Sequence, residues 1–161
     1  PNGVGKSTLL AKFQQLLSGK REISLGFMPQ DYQETLQLDL SPVEFLSQTG
    51  HKEEIQKIQS HLASLNFSYP EMHHQIHSLS GGQQGKLLLL NLVLRKPNFL
   101  LLDEPTRNFS PTSQPEIRKL FATYPGGLVT VSHDRRFLKE VCTSIYSLTE
   151  HGLEVVDLQD L

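Results

Sequence analysis

Gly3-Val4-Gly5-Lys6-Ser7-Thr8 stands at the head of this 161-residue chain. It runs directly into the stretch from Ser7 to Leu17, where Leu9, Leu10, Phe13, Leu16 and Leu17 repeat at helical spacing. A glycine-rich turn feeding a helix narrows the possible folds more than any other feature. Glycines let successive backbone N–H groups converge on one anion, and the helix adds the positive end of its dipole. The run fits the pattern G-x-x-x-x-G-K-[ST], except that the first Gly would fall one residue before Pro1. We therefore expect the chain to be a piece of a longer protein that begins inside this loop. In such a loop Lys6 reaches the β- and γ-phosphates of a nucleotide and the Ser7 hydroxyl ligates Mg²⁺. The blander reading is a glycine-rich turn before a helix that carries a surface Lys.

Helical and strand-like segments alternate along the rest of the chain, as in an α/β layer fold with a largely parallel sheet. Ile23 to Met28 reads as a strand before Pro29. Ser41-Pro42 signals a helix start, and Lys52 to Leu65 carries Ile55, Ile58, Leu62 and Leu65 on one face. This polar section, about residues 40–78, is expected to be a small helical subdomain set into the α/β core. A loop over Ser78 to Gly82 leads to a helix from Gln83 to Leu94. Phe99 to Leu102 is a buried strand, Gln114 to Thr123 a helix, and Leu128 to Ser132 another strand. A helix follows near Asp134 to Val141. Ser144 to Leu148 and Leu153 to Val156, joined through His151-Gly152, close the chain as a hairpin.

Three further elements could carry chemistry. The Phe99–Leu102 strand delivers Asp103 and Glu104 to the C-terminal edge of the sheet, where α/β folds hold ligands. Asp103 would hold Mg²⁺ and its waters, and Glu104 would polarise or deprotonate an attacking water. Leu79-Ser80-Gly81-Gly82-Gln83 forms a second anion nest ahead of a helix. One nucleotide does not need two nests from one chain, whereas two facing copies would use both. Gln30, after the first strand, could touch metal or water, and His133, after the Leu128–Ser132 strand, could contact a γ-phosphate. Each of these taken singly also fits a structural or solvated residue.

Composition removes several alternatives. Lys plus Arg number 15 against 17 Asp plus Glu, a net charge of −2, which gives no electrostatic case for a general nucleic-acid or anionic-membrane binder. Cys142 is the single cysteine, so no internal disulfide can form and a reducing, cytoplasmic setting fits best. The longest apolar run, Leu87 to Leu90, falls far short of the roughly 20 residues of a membrane-spanning helix, so no direct membrane insertion is expected. His73, His74 and His77 read as a solvated face, with no cysteine nearby to complete a metal set.

Taken in order, Asn2 to Thr8, Gln30, Leu79 to Gln83, Leu100 to Thr106 and Ser132-His133-Asp134 resemble the motifs of an ABC-type ATPase. The resemblance spans Pro1 to about Leu138. It implies a P-loop NTPase core over 1–161 and ATP with Mg²⁺ as ligands. It also implies that a second ABC ATPase domain, in the same full-length chain, completes the ATP sandwich. In that scheme Asn2, Gly3, Gly5, Lys6, Ser7 and Thr8 bind nucleotide together with Ser80, Gly81, Gly82 and Gln83 of the signature loop. Ser7, Gln30 and Asp103 serve the metal, and Glu104, His133 and Gln30 serve catalysis. The strand before the phosphate loop, the adenine-stacking aromatic residue and the antiparallel β-subdomain would lie upstream of Pro1. A strand missing from within a parallel sheet leads us to expect that these 161 residues fold poorly alone.

Ser132-His133-Asp134-Arg135-Arg136-Phe137-Leu138 further resembles the ABC-F branch, which has paired ATPase domains and no membrane domains, and many of whose members act on the ribosome. The segment Asp103 to Pro111 departs from the usual ABC-F ending. It is similar to the second ATPase domain of the branch that holds antibiotic-resistance members. Lys86 replaces a common Arg, and Arg107, Phe109 and Ser110 alter the loop that reports one site's state to the other. Two alternatives stay open: the ATPase subunit of a membrane transporter, and an ATP-binding module that no longer turns over.

Overall fold

The computed structural model describes residues 5–157 and 159. The chain divides into two compact units, Pro1–Gln30 with Pro97–Leu161, and Asp31–Lys96. The mixed α/β architecture is that expected of the sequence.

The first unit is built on a parallel sheet in the order β1-β2-β3, formed by Leu25–Met28, Phe99–Asp103 and Gly127–Val131. In the central strand β2, Leu100, Leu101 and Leu102 are 2%, 0% and 0% exposed, which explains its uninterrupted apolar run. Helix α1 (Lys6–Ser18) packs on all three strands and buries Leu10. Between β2 and β3 runs α6 (Gln114–Ala122), and after β3 comes α7 (Arg135–Val141). These two helices pack together, with Phe121 and Phe137 edge to face at 6.0 Å and an Arg118–Glu140 ion pair at 2.8 Å. A separate antiparallel hairpin, β4 (Ile145–Thr149) with β5 (Gly152–Val156), follows. Beside β3 lies a groove of about 750 Å³, lined in part by Leu9, Phe13, Val129 and Leu148, and Thr130 Oγ1 is buried without a hydrogen-bond partner among the described residues.

One residue, Asn98, ties together the N-terminal ends of the three strands, by its side chain and backbone toward β1 and by its backbone carbonyl toward β3. Asn98 Oδ1 accepts from the Ser24 N–H at 2.8 Å, and its Nδ2 donates to the Glu22 carbonyl at 2.8 Å. The Asn98 backbone N–H donates to Ser24 O at 2.9 Å, and its carbonyl accepts from Gly127 N–H at 3.0 Å. Sequence separation between these groups is large, so the residue sets the register of the sheet rather than a local turn.

The second unit is helical: α2 (Pro42–Leu46), α3 (Lys52–Ser64), α4 (Tyr69–His73) and α5 (Gly81–Arg95). Ile58 and Leu62 are buried in it, as the one-sided pattern of α3 requires, and so are Met72 and Ile76. Three of these helices start with a capping box, Ser41/Glu44, Ser68/Glu71 and Ser80/Gln83. The turn before α3 is organised by one carboxylate. Glu54 accepts from the Ser47 hydroxyl, the Gln48 N–H, the Thr49 N–H and hydroxyl, and the Gly50 N–H, at 2.7–3.1 Å. Those donors hold its pKa down to about 2.

Element positions follow the expected pattern closely, with two differences. Helix α5 starts at Gly81 rather than Gln83, because Ser80 supplies a cap that outweighs the low helix propensity of two glycines. Helix α4 lies within the section that the sequence marks as helical without resolving a separate helix there, because at five residues it is too short to show a period.

Candidate functional site

Register places the chemistry. Met28 pairs with Leu102, and Asp103 pairs with Val131, so the residues that follow all three strands emerge at one sheet edge. Gln30, Asp103, Glu104 and His133 line one pocket of about 770 Å³ there, together with Gly5, Lys6, Ser7 and Thr8 from the start of α1. That volume lies within the range of ligand clefts. Asn2 and Gly3 fall outside the described residues.

Gly5 caps α1 with φ of 83°, in the left-handed region, and makes no side-chain cap. Only glycine takes this conformation freely, and nothing within 4 Å occupies the space a Cβ would fill. The helix carries no acidic residue in its first turn, so its positive end is uncompensated.

Glu104 is the other backbone exception, with φ of 50°. A left-handed non-glycine residue costs roughly 1–2 kcal/mol and is held there only by its surroundings. Here the Glu104 N–H donates to Val131 O at 2.8 Å, continuing the sheet by one bond past β2. The carboxylate is 13% exposed, and its Oε2 accepts from the His133 N–H at 3.1 Å and the Ser132 hydroxyl at 3.5 Å. Its Oε1 lies 3.6 Å from His133 Nε2, which in turn lies 3.4 Å from Lys6 Nζ. Lysine, histidine and carboxylate thus form one row across the pocket.

Two neighbours that belong to the quoted motifs but to which the sequence assigns no role, Asp134 and Thr106, hold this row in place. Asp134 Oδ1 caps α7 by accepting from the N–H groups of Arg136 and Phe137, at 3.0 and 3.1 Å. Its Oδ2 accepts from the buried Thr106 hydroxyl at 3.0 Å, and its own N–H donates to Ser132 Oγ at 3.0 Å. Phe137, fully buried, anchors the same helix. The signal was present: an Asp directly before a helical run is a cap, and Thr106 follows the strand-ending carboxylates.

Ser7, Asp103 and Gln30, which carry hydroxyl, carboxylate and amide oxygens, all line this pocket. Hard oxygen donors of this kind suit Mg²⁺, which keeps several waters and takes the rest of its shell from phosphate oxygens. Among the described residues no group of three or more His, Cys, Asp or Glu could enclose a metal by itself.

The Ser80–Gln83 loop lies in the helical unit. The Ser80 hydroxyl accepts from the Gln83 N–H at 3.2 Å, and Gln83 Oε1 accepts from the Ser80 N–H at 3.0 Å. The first-turn N–H groups of Gly81 and Gly82 have no partner within the helix. Nothing within 4 Å fills the position of a Gly81 side chain, and α5 carries no acid in its first turn. Among the described residues no helix is long and apolar enough to cross a membrane.

Comparison with known proteins agrees with this geometry. The family model described as ABC transporter matches residues 1–107. YheS of Escherichia coli K12, named as an ATP-binding protein, is 31% identical over 97% of this chain. YdiF of Bacillus subtilis, also named as an ATP-binding protein, is 34% identical over 96% of it. ABC transporter F family member 2 of Arabidopsis thaliana is 27% identical over 95%. The chain spans only about a quarter of these relatives (26%, 25% and 24%). Among solved structures, the ATP-binding cassette MJ0796, in a dimeric post-hydrolysis state with ADP and Pi, superposes with a TM-score of 0.79. It is 20% identical, and the match covers 98% of this chain and 82% of that one. The chain therefore belongs to the ABC transporter family, as an ABC ATPase domain with a mixed α/β P-loop fold.

Proposed function

We propose that the full-length protein hydrolyses ATP in a sandwich between this domain and a second ABC ATPase domain of the same chain, and that it does so on the ribosome. The observation that carries the hydrolytic part is Glu104, held in a left-handed backbone with its carboxylate bonded to the His133 N–H and aligned toward Lys6. A carboxylate kept in a strained backbone at the end of a buried strand is a feature of reaction sites.

Lys6 and the N–H groups at the start of α1 hold the β- and γ-phosphates, with Gly5 and Thr8 beside them; Asn2 and Gly3, outside the described residues, are assigned to the same nucleotide by the motif alone. Ser7, Asp103 and Gln30 would hold Mg²⁺, which when bound would neutralise charge developing on the phosphate oxygens. Glu104 orients a water and takes its proton as the water oxygen bonds to the γ-phosphorus. The bond from that phosphorus to the bridging oxygen breaks, leaving ADP and phosphate. His133 keeps Glu104 aimed through its backbone N–H and presents its ring to the γ-phosphate. Ser80, Gly81, Gly82 and Gln83 meet the phosphates of the nucleotide held by the opposing domain.

The ribosomal part is supported by the stretch Ser132 to Leu138 and by the ABC-F name of the Arabidopsis relative. Its task there is a step of translation or protection from an antibiotic, in the cytoplasm. A transporter subunit is the second reading, favoured by the description of the matching family model.

The test is ATP turnover by the intact protein, wild type and Glu104→Gln, with and without purified ribosomes. We expect ribosomes to stimulate turnover, and the Gln variant to lose about 10²-fold or more in kcat and remain on ribosomes with ATP bound. Turnover indifferent to ribosomes would select the transporter reading. Unchanged turnover in Glu104→Gln would mean that the domain only binds.

A further inference from the structure

The Ser80–Gln83 loop is wired to an acid that the hydrolytic chemistry does not use. Helix α4 starts with its own capping box, in which Glu71 Oε2 accepts from the Ser68 N–H at 2.7 Å and the Ser68 hydroxyl at 2.8 Å. The other oxygen of the same carboxylate, Oε1, accepts from Gln83 Nε2 at 2.7 Å. Gln83 Oε1 then accepts from Ser80 N–H, and Ser80 Oγ from Gln83 N–H. Two capping boxes are thus joined by a single amide.

The polarity of this chain is fixed from the Glu71 end. An ionised carboxylate only accepts, so the amide of Gln83 must turn its NH₂ toward Glu71 and its oxygen toward the Ser80 N–H. The flipped amide would set donor against donor at Ser80 and oxygen against oxygen at Glu71. The Ser68 N–H, the Gln83 amide and the Ser68 hydroxyl also hold the Glu71 pKa below its ordinary value, keeping it ionised. With the amide so oriented, the Ser80 hydroxyl accepts from Gln83 N–H and keeps its own proton to donate outward.

The substitution of amide for acid at this place is specific to one helix. The other two boxes carry Glu at the third helical position, Glu44 and Glu71, whereas α5 carries Gln83. Helices α2, α3, α4 and α6 all have an acid in the first turn, and α5 has none. The box is complete while its negative charge stands one hydrogen bond away, so the positive end of α5 stays available to an anion.

We infer that Glu71 is a positioning residue for ATP hydrolysis: by fixing the Gln83 amide it sets the Ser80–Gln83 nest in the arrangement that meets the γ-phosphate of the opposing domain's nucleotide. The inference rests on the nest taking that phosphate.

The test uses the intact protein and separates turnover from nucleotide binding. Glu71→Gln supplies one acceptor oxygen where the chain needs two. Its kcat is expected to fall about tenfold, the worth of one hydrogen bond to a charged group. The Kd of a fluorescent ATP analogue at the Lys6 loop is expected to stay within about twofold, because that loop is untouched. Glu71→Asp, too short to reach Gln83, is expected to show the same split. Ser68→Ala weakens the α4 cap but leaves the Glu71–Gln83 bond, and is expected to keep wild-type kcat. Equal loss of turnover in Ser68→Ala and Glu71→Gln, or no loss in either Glu71 variant, overturns the positioning role. Gly82→Asp tells the two levels apart. If it abolishes turnover while the Glu71 variants do nothing, the nest stands and the inference falls. If Gly82→Asp is also silent, the reading of the nest falls with it.

Discussion

Among the described residues, two helix starts that are suited to anions are constructed differently. At α1 the backbone does the work: Gly5 takes a left-handed turn, no side chain caps the helix, and Lys6 supplies a full positive charge. At α5 the side chains do it: Ser80 and Gln83 cap each other, Glu71 orients the amide, and no cation stands in the first turn. A nest made from backbone geometry and a cation binds tightly but depends on one torsion angle. A nest made from neutral hydrogen bonds binds weakly by itself and depends on every partner in the ring. Under the proposed function, that is the division expected of a loop that retains a nucleotide and a loop that must let go of one.

Substitutions should separate the two. Lys6→Ala should raise the Kd for ATP in the intact protein by about a hundredfold, through loss of charge-assisted bonds, as read by titration with a fluorescent analogue. Ser80→Ala should leave that Kd nearly unchanged and lower kcat about tenfold, as a lost cap disorders the nest. Equal effects on Kd would collapse the distinction.

Glycine replacements probe the same contrast through stability. Gly5→Ala forces a side chain into φ of 83° and should cost roughly 1–2 kcal/mol in urea unfolding. Gly81→Ala meets no neighbour within 4 Å and no left-handed angle, so it should be neutral or stabilising by up to about 1 kcal/mol while still reducing turnover. A stable, fully active Gly81→Ala would show that the open space there is not used.

Next comes the ground beneath each nest. Asn98→Ala removes two side-chain bonds that clamp the sheet carrying the first nest, and should cost about 1–2 kcal/mol, measured by the same unfolding. The smallest effect belongs to the helical unit. Glu54 has a folded pKa of about 2 against an ordinary 4.5, so its contribution is complete above about pH 4.5 and is lost as pH falls toward 2. Melting temperature of Glu54→Gln should therefore lie below wild type at pH 7 and approach it near pH 2. A constant gap across that window would show that the loop does not depend on the charge.

Much of this was legible from the sequence because the strong signals are periodic or stereotyped. The apolar run Phe99 to Leu102 could hardly be anything but a buried strand, and Ile55, Ile58 and Leu62 mark α3 by spacing alone. Gln30, Asp103, Glu104 and His133 sit together because their strands pair in register, which the order of the motifs already suggested. What stayed hidden is carried by single polar groups acting over distance. Glu71 reads as an acid beside histidines until the fold brings Gln83 to it, although Ser68-Tyr69-Pro70-Glu71 does spell a helix start. Asn98 between Pro97 and Phe99 reads as a turn residue, and its bonds to Glu22 and Ser24 cannot be seen in any local window. Glu104's backbone angle has no sequence signal, since nothing in its type favours φ of 50°.

The clamp at Asn98 also bears on how such a chain can change over evolutionary time. Neighbouring strands β1 and β2 are separated in sequence by the whole helical unit, yet their alignment is fixed at the root by contacts that involve none of it. For the pairing of β1 with β2, lengthening or shortening the excursion changes the entropy of closing a loop, a cost that grows slowly with length. Gln30 and Asp103 keep their places at the far ends of the two strands whatever lies between them. A sheet edge whose register is set at the opposite end of its strands need not be rebuilt each time the insert between them changes.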